Sequence, residues 1–473
     1  MPEPLNLPWS VGTVIHLVGV GGAGMSALAL ILRDAGYRVT GSDLITSSTV
    51  ESLRNNGILI HVGHHAQNVG GASVLIRSSA VPLDNPEVAS AMQRGLLVLK
   101  HSEALGALSR VRRTLAVAGT HGKTTTTAML ATILLGAGLD PTVLVGGVVP
   151  ALGSGAHWGT GDFLVAEADE YDRRFLEIQP EIAIVNNLEA DHLDYFGSLE
   201  AIVQAFEQFV GSTPDEGWRL FCADSPLAAE LADLCPDRSV TYGLSDIAEW
   251  QATGISPNNR GGNDFYVMAN GTLVGHFRIA LPGRHNVSNA LAAAVAAGRI
   301  GVDFTTAAAA LEDFQGVERR LQRKGEQAGI VVYDDYGHHP TEIRVTLAAA
   351  REGQTGRLIC LFQPHTYHRL NALFEDFADA FADADLVVVS DVYAPAGRGP
   401  ESGDRGSADL ANAIVNTKAR YGGDLATSIA LVSKLAASGD LIVTMGAGDV
   451  TLAGPRLLAL IGEREAKPAG GQT

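Results

Sequence analysis

The stretch that decides the fold is TLAVAGTHGKTT, Thr114–Thr125. An apolar run, Thr114–Ala118, reads as a strand, a Gly-rich turn follows, and the residues after Lys123 form a long apolar helical pattern. A strand, a turn ending in GKT and a helix make a phosphate-binding loop. Its backbone amides, from Gly119, Thr120, His121 and Gly122 to Thr125, hold phosphate oxygens. Lys123 neutralises charge near the β and γ phosphates, and the Thr124 hydroxyl suits Mg2+. The GxxxxGK[ST] pattern asks for glycine at position 117, where Val117 stands, so the loop is a variant form.

A second Gly-rich turn lies upstream. The strand Thr13–Val18 enters Gly19-Val20-Gly21-Gly22-Ala23-Gly24, a helix reads over 23–35, and Asp43 closes the next strand. That is a GxGxxG fingerprint, with an acid roughly 20 residues on. It predicts a diphosphate-nucleotide site built from Gly19, Gly21, Gly22, Gly24 and Asp43, without separating NAD from other nucleotides. Strand-then-helix patterns recur to the C-terminus, including strands at 162–166, 181–185, 330–333, 358–362, 386–390 and 441–445, so the class is α/β with parallel sheets. The expected layout is a Rossmann-like domain over 1–112, ending at a basic cluster of Arg110, Arg112 and Arg113. A central P-loop ATPase-type domain covers 113–316, and a Rossmann-like closing domain covers 317–473.

The chain has 473 residues, and at roughly 150 per domain this length agrees with three domains. Its 34 Lys and Arg against 52 Asp and Glu give a net charge of −18, which disfavours nucleic acid but not small anions bound by local amides and cations. With 54 glycines it exceeds the usual ~7%. Three cysteines with no metal-ligand spacing fit a reducing compartment. The first ten residues have no secretory pattern, no run reaches the length of a membrane span, and the tail from Glu463 is polar and expected to fray. A cytoplasmic protein without membrane insertion is expected.

Other chemistry-bearing residues cluster after strands. Glu167, at the predicted end of one, is the expected Mg2+ ligand, with His192 as a second metal or orienting group. Asp169, Glu170 and Asp191 read as surface or capping acids. Asn286 and Asn289, three apart at a helix start, share a face suited to adenine or to a metal-bound water, with N-capping as the alternative for Asn286. In the pairs Arg319-Arg320 and Asp334-Asp335 a guanidinium suits a transferring phosphoryl group and an Asp at a strand end suits ribose hydroxyls; the resemblance below singles out Arg320 and Asp335. His365 with Arg369, and Met445-Gly446-Ala447-Gly448-Asp449, follow strands and suit a small carboxylate substrate.

Taken in order, HLVGVGGAGMS, GTHGKTTT, EADEYD, NNLEADHLDYFGS, GRHNVSNALAA, DDYGHHPTEI, FQPHTYHR and TMGAGDV resemble the Mur ligases, the ATP-dependent amino-acid-adding enzymes of peptidoglycan synthesis. Within that family the motifs look like those of the alanine-adding branch. The resemblance implies that L-alanine is joined to the lactoyl carboxylate of UDP-N-acetylmuramate through an acyl phosphate, releasing ADP and phosphate. It implies ATP and Mg2+ as cofactors. Lys123, Glu167, His192 and Arg320 would form the catalytic site, Asn286, Asn289 and Asp335 would contact nucleotide, and the first Gly-rich turn would bind the UDP-sugar. Several members use a carbamylated lysine in the central domain, but no Lys lies between Lys123 and Lys324, in keeping with the alanine-adding branch. Thr366 and His368 depart from the Arg or Leu and the Ser or Thr of many relatives. Competing readings are a murein-recycling peptide ligase, a nucleotide sensor without turnover, and an NAD-dependent dehydrogenase, which leaves the P-loop without a role. Lys123→Ala is expected to abolish ligation with the fold largely intact.

Overall fold

The computed structural model describes residues 10, 12–235, 237–394 and 399–466. Most of the N-terminal stretch read for a signal, and the tail beyond Ala466, lie outside the described residues. The remainder of the tail, Glu463–Ala466, belongs to the helix Ala453–Ala466.

Twenty-one described strands form three sheets. The first holds β1 (Val14–Val18), β2 (Arg38–Asp43), β3 (Leu59–Val62), β4 (Val74–Arg77) and β5 (Leu97–Lys100) in the order β3-β2-β1-β4-β5, all parallel. Chain order reverses at β1, which is where open α/β sheets bind ligands. The second sheet holds β6 (Arg113–Ala118), β7 (Thr142–Val149), β8 (Ser154–His157), β9 (Phe163–Glu167), β10 (Ile182–Val185), β11 (Trp218–Cys222), β12 (Ser239–Gly243), β13 (Trp250–Pro257), β14 (Asn263–Ala269) and β15 (Thr272–Ile279). Their order is β15-β14-β13-β12-β11-β10-β6-β9-β7-β8. The third holds β16 (Gln322–Gln327), β17 (Ile330–Asp335), β18 (Leu358–Phe362), β19 (Leu386–Ser390), β20 (Lys418–Gly423) and β21 (Leu441–Met445), in the order β16-β17-β21-β18-β19-β20. Only β16 runs antiparallel to its neighbour there.

Central strands such as β6, β10 and β18 are buried along nearly their whole length, which is why they read as unbroken apolar runs. Residues 258–262 form the turn between β13 and β14.

The chain divides into two compact units. One comprises Met1–Ser256, Asp264–Ala280 and Asn286–Gly316, and the other Pro257–Asn263, Leu281–His285 and Val317–Thr473. Within the first, a single hydrophobic cluster draws on both sheets, from Leu17, Leu28 and Ile31 to Ala116, Phe175 and Phe206. The helix Ala23–Asp34 packs on β7 and β8, so residues before and after Arg112 share one core.

Candidate functional site

The phosphate-binding loop joins β6 to the helix Lys123–Gly136. Register sets β6 between two strand ends: Val117 pairs with Glu167 of β9, and Ala118 with Val185 of β10. The Asn-Asn pair after β10 then braces the loop. Asn187 accepts from the amides of Thr120 (3.1 Å) and His121 (2.7 Å), and Glu189 N donates to Thr120 Oγ1 at 2.9 Å. Asn186 Nδ2 donates to Thr126 Oγ1 at 3.0 Å, while Tyr242 OH donates to Asn186 Oδ1 at 2.9 Å.

Asn289 belongs to the same lattice. Its Oδ1 accepts from the Thr126 hydroxyl at 3.1 Å, and its Nδ2 donates to Asn286 Oδ1 at 3.3 Å. Asn286 is an interior residue of the helix Arg284–Arg299, so the capping alternative does not apply to it. Gly122 must be glycine here: its φ is +79°, and a Cβ would stand 2.7 Å from Asn289 Oδ1 and 3.0 Å from Asn186 Nδ2. No side chain caps the helix that starts at Lys123. The result is a glycine-shaped cradle with the amides of a helix start and one cation, which fits a nucleotide's phosphates.

Lys123 is folded into this cradle. Its Nζ donates to Gly119 O (2.5 Å), Thr120 O (3.2 Å) and both oxygens of Glu170 (3.1 and 2.9 Å). Burial works against the lysine's charge, but Glu170, Asp169 and Glu167 outweigh it and raise its pKa, so it stays protonated. Glu170 is therefore not the surface acid that the sequence suggests, being only 4% exposed. Asp169, half-buried, does behave as a local brace, accepting from Arg174 at 3.0 Å and from the Tyr171 amide at 3.1 Å.

Glu167 ends β9, where its Oε1 accepts from the Gly146 amide at 2.6 Å. Thr124 is the second residue of the P-loop helix and is buried. His192 takes a left-handed φ of +53° before the short helix Leu193–Phe196, with Nε2 3.6 Å from Asp191 Oδ2 and its ring 4.8 Å from that of Tyr171. By donor type, the hydroxyl and carboxylate oxygens of Thr124 and Glu167 fit a hard cation such as Mg2+, and the imidazole of His192 fits it less well.

In the first sheet the Gly-rich turn follows β1. Gly19 N and Val20 N donate to Ser42 O (2.9 and 3.0 Å), and Gly21 N donates to Asp43 Oδ2 at 2.8 Å. Asp43 thus pins the turn that its fingerprint position predicts. Gly22 precedes the helix Ala23–Asp34, again with no side-chain cap, and Gly24 lies against the His101 ring. Burial and the Arg174 charge push the His101 imidazole down to about 4, which keeps it neutral. Beneath the turn, Ser42 Oγ donates to the fully buried Glu87 at 2.5 Å, Asn68 Nδ2 donates at 2.5 Å, and the His64 and His16 rings lie 3.2 and 3.6 Å from the same carboxylate. Nothing in the motif at 19–24 announces this buried acid.

The other unit carries the remaining candidates. Arg320 Nη1 is 3.4 Å from Glu342 Oε1, and its guanidinium lies over the Tyr336 ring at 5.4 Å. Asp335 is buried, accepting from Leu321 N at 2.6 Å and Gly337 N at 2.7 Å. Burial raises its carboxyl to about 6 against the pull of Arg320. His365 stacks on Tyr393 at 5.7 Å and meets His338 edge-on at 6.0 Å. Arg369 sits half-buried in the helix Tyr367–Ala372, which Thr366 caps from a φ of +64°. Tyr393 was not legible as a neighbour of this group, because the loop after β19 carries no motif of its own.

Comparison with known proteins decides the lineage. Residues 14–113 match the description "Mur ligase family, catalytic domain", 117–297 match "Mur ligase middle domain", and 319–448 match "Mur ligase, glutamate ligase domain". The UDP-N-acetylmuramate–L-alanine ligase of Geotalea daltonii is 43% identical over 95% of this chain and 98% of its own. The chain belongs to the Mur ligase family. Another such ligase, from Syntrophotalea carbinolica, is 44% identical over 95% of this chain and 98% of its own. Among solved Mur ligases, the UDP-N-acetylmuramate-alanine ligase of Thermotoga maritima superposes with a TM-score of 0.80 at 31% identity, covering 96% of this chain and 99% of that one. A murein peptide ligase from Psychrobacter arcticus gives 0.71 at 29% identity, over 95% and 99%. The three-domain α/β expectation agrees with the Mur ligase fold. No described helix is long and apolar enough to cross a membrane.

Proposed function

We propose that this Mur ligase joins L-alanine to UDP-N-acetylmuramate at the expense of ATP. The observation that carries the reading is that relatives bearing that activity in their name align at 43 to 44% identity over almost the whole of both chains. The peptide-recycling reading is less well supported, with a poorer superposition, TM-scores of 0.71 and 0.60 against 0.80. The dehydrogenase reading falls with the family assignment.

In the reaction, a lactoyl carboxylate oxygen attacks the γ-phosphorus of ATP, the bond to ADP breaks, and an acyl phosphate forms. The alanine amine then attacks the acyl carbon, loses a proton and expels phosphate. Both steps depend on positioning and on neutralising charge. We assign the loop Gly119–Thr125, through those of its amides that Asn187 does not already engage, and the Lys123 ammonium to the phosphate oxygens. We assign Thr124, Glu167 and His192 as the residues that would hold Mg2+, which would screen the charge of the bound phosphates. We assign Asn286 and Asn289 to support of the nucleotide cradle, Arg320 to the γ-phosphate and Asp335 to the ribose. The first turn and Asp43 serve the UDP-sugar, and His365 and Arg369 serve the alanine carboxylate. The matching modules are 1–112 for the sugar nucleotide, 113–316 for ATP and 317–473 for the amino acid. We place the enzyme in the cytoplasm, where ATP is made and where its three free thiols remain reduced.

The test is ADP release by the purified full chain. It should require UDP-N-acetylmuramate and L-alanine together. Full activity with the sugar nucleotide omitted would refute the reading, and a requirement for a preformed peptide would favour the recycling ligase.

A further inference from the structure

The cation of the phosphate loop already has an anionic partner. Lys123 is saturated by two loop carbonyls and by both oxygens of a buried glutamate, to which the reaction proposed above assigns no part. Charge-assisted bonds of this kind are strong where water is excluded, so incoming phosphate must compete with a carboxylate for one ammonium group.

The segment that carries Glu170 is unusual as well. Asp172 and Arg173 adopt φ of +56° and +52°, two successive side-chain-bearing residues in the left-handed region. Such backbone persists only where surrounding contacts impose it. Here the contacts are Asp172 with Lys100 (3.7 Å), Asp169 with Arg174 (3.0 Å) and Tyr171 against His192. Glu170 thus rides on a turn that contacts outside the phosphate loop hold in a costly backbone conformation.

We propose that Glu170 is a positioning residue for Lys123. In the nucleotide-free enzyme its carboxylate keeps the ammonium folded into the loop, and it surrenders the ammonium when the phosphates arrive. A fixed anion beside the loop would oppose nucleotide binding, so the lysine's readiness comes with weaker affinity. This inference rests on the reading of Gly119–Thr125 as the ATP site.

The experiment is calorimetric titration of the full chain with ADP, comparing wild type with Glu170→Gln, beside a crystal structure of the wild type with ADP. Glu170→Gln should bind ADP at least fivefold more tightly, and its KM for ATP should fall while kcat also falls. Loss of a merely structural contact would weaken binding. In the ADP complex, both Glu170 oxygens should lie more than about 4 Å from Lys123 Nζ, beyond ion-pair contact. Unchanged or weaker ADP binding by the variant, or retention of both bonds in the complex, overturns the inference while leaving the ATP reading intact. Failure of the wild type to bind ADP overturns both. If the variant does not fold, the wild-type complex decides alone.

Discussion

Gly122→Ala is the sharpest probe of how the phosphate loop is held. At φ +79° an alanine carries a backbone cost of about 1–2 kcal/mol relative to glycine. Its Cβ would also stand 2.7 Å from Asn289 Oδ1, which must swing away from Thr126 and Asn286. Losing those two hydrogen bonds costs about 0.5–1.5 kcal/mol each, so the total is about 3 kcal/mol. The second part depends on Asn289 and the first does not. In an Asn289→Ala background the same glycine substitution should therefore cost only about 1–2 kcal/mol, a coupling of about 1–3 kcal/mol between the two sites. Urea unfolding followed by tryptophan fluorescence suits the measurement, because Trp158, Trp218 and Trp250 all belong to the unit that holds the loop. Additive costs, agreeing within about 0.5 kcal/mol, would refute the claim that the Asn289 carboxamide is what excludes a side chain at position 122.

Three further outcomes are expected. Lys123→Ala should abolish ligation, but the fold will not be indifferent as the sequence suggested: stripping a buried carboxylate of its cation costs about 3–5 kcal/mol. Thermal melting should fall in the single variant and recover, without activity, in Lys123→Ala/Glu170→Gln; an unchanged melting temperature in the single variant contradicts the buried pair. Burial alone would raise the Glu87 carboxyl, yet the neighbouring His16 ring and bonds from Ser42 and Asn68 bring it down to about 2, below its value of 4.5 when exposed. Its folded pKa being the lower one, the charge stabilises the fold above about pH 4.5, and that stabilisation is lost as pH falls toward about 2. The stability gap between wild type and Glu87→Gln, from denaturant curves, should accordingly narrow from pH 6 to pH 3, and a constant gap would exclude the linkage. Finally, one methyl group in a pocket is worth about 1–3 kcal/mol, so kcat/KM for glycine should fall roughly tenfold or more below that for alanine in a competition assay. Equal values would remove any methyl-sized pocket from the reading.

What could be read from the sequence follows physical lines. The parallel core strands are buried on both faces, so β6, β10, β18 and β21 appear as apolar runs of the right length. The strands β8 and β16 did not declare themselves, because they are short of apolar residues and largely not buried, and the apolar run of β7 is interrupted by Gly146 and Gly147. In the site, Lys123 and Glu167 were legible because a strand end fixes where the next residue must lie. In EADE, however, sequence cannot say which acid turns inward. That is decided by a turn whose two left-handed residues, Asp172 and Arg173, carry no glycine to mark it. Asn186 and Asn187 act on the loop only because β10 happens to lie beside β6.

The hydrophobic cluster that both N-terminal sheets share limits how such an enzyme can be recombined. A crossover at Arg112, the obvious seam in the sequence, divides one core: Leu28 and Ile31 would come from one parent and Phe175 and Phe206 from another. Chimeras that exchange sugar-nucleotide specificity between relatives must therefore carry both sheets as a block, or repair the facing side chains of Ala23–Asp34, β7 and β8 together. For the same reason, residues 1–112 expressed alone would expose that apolar face and be prone to aggregate.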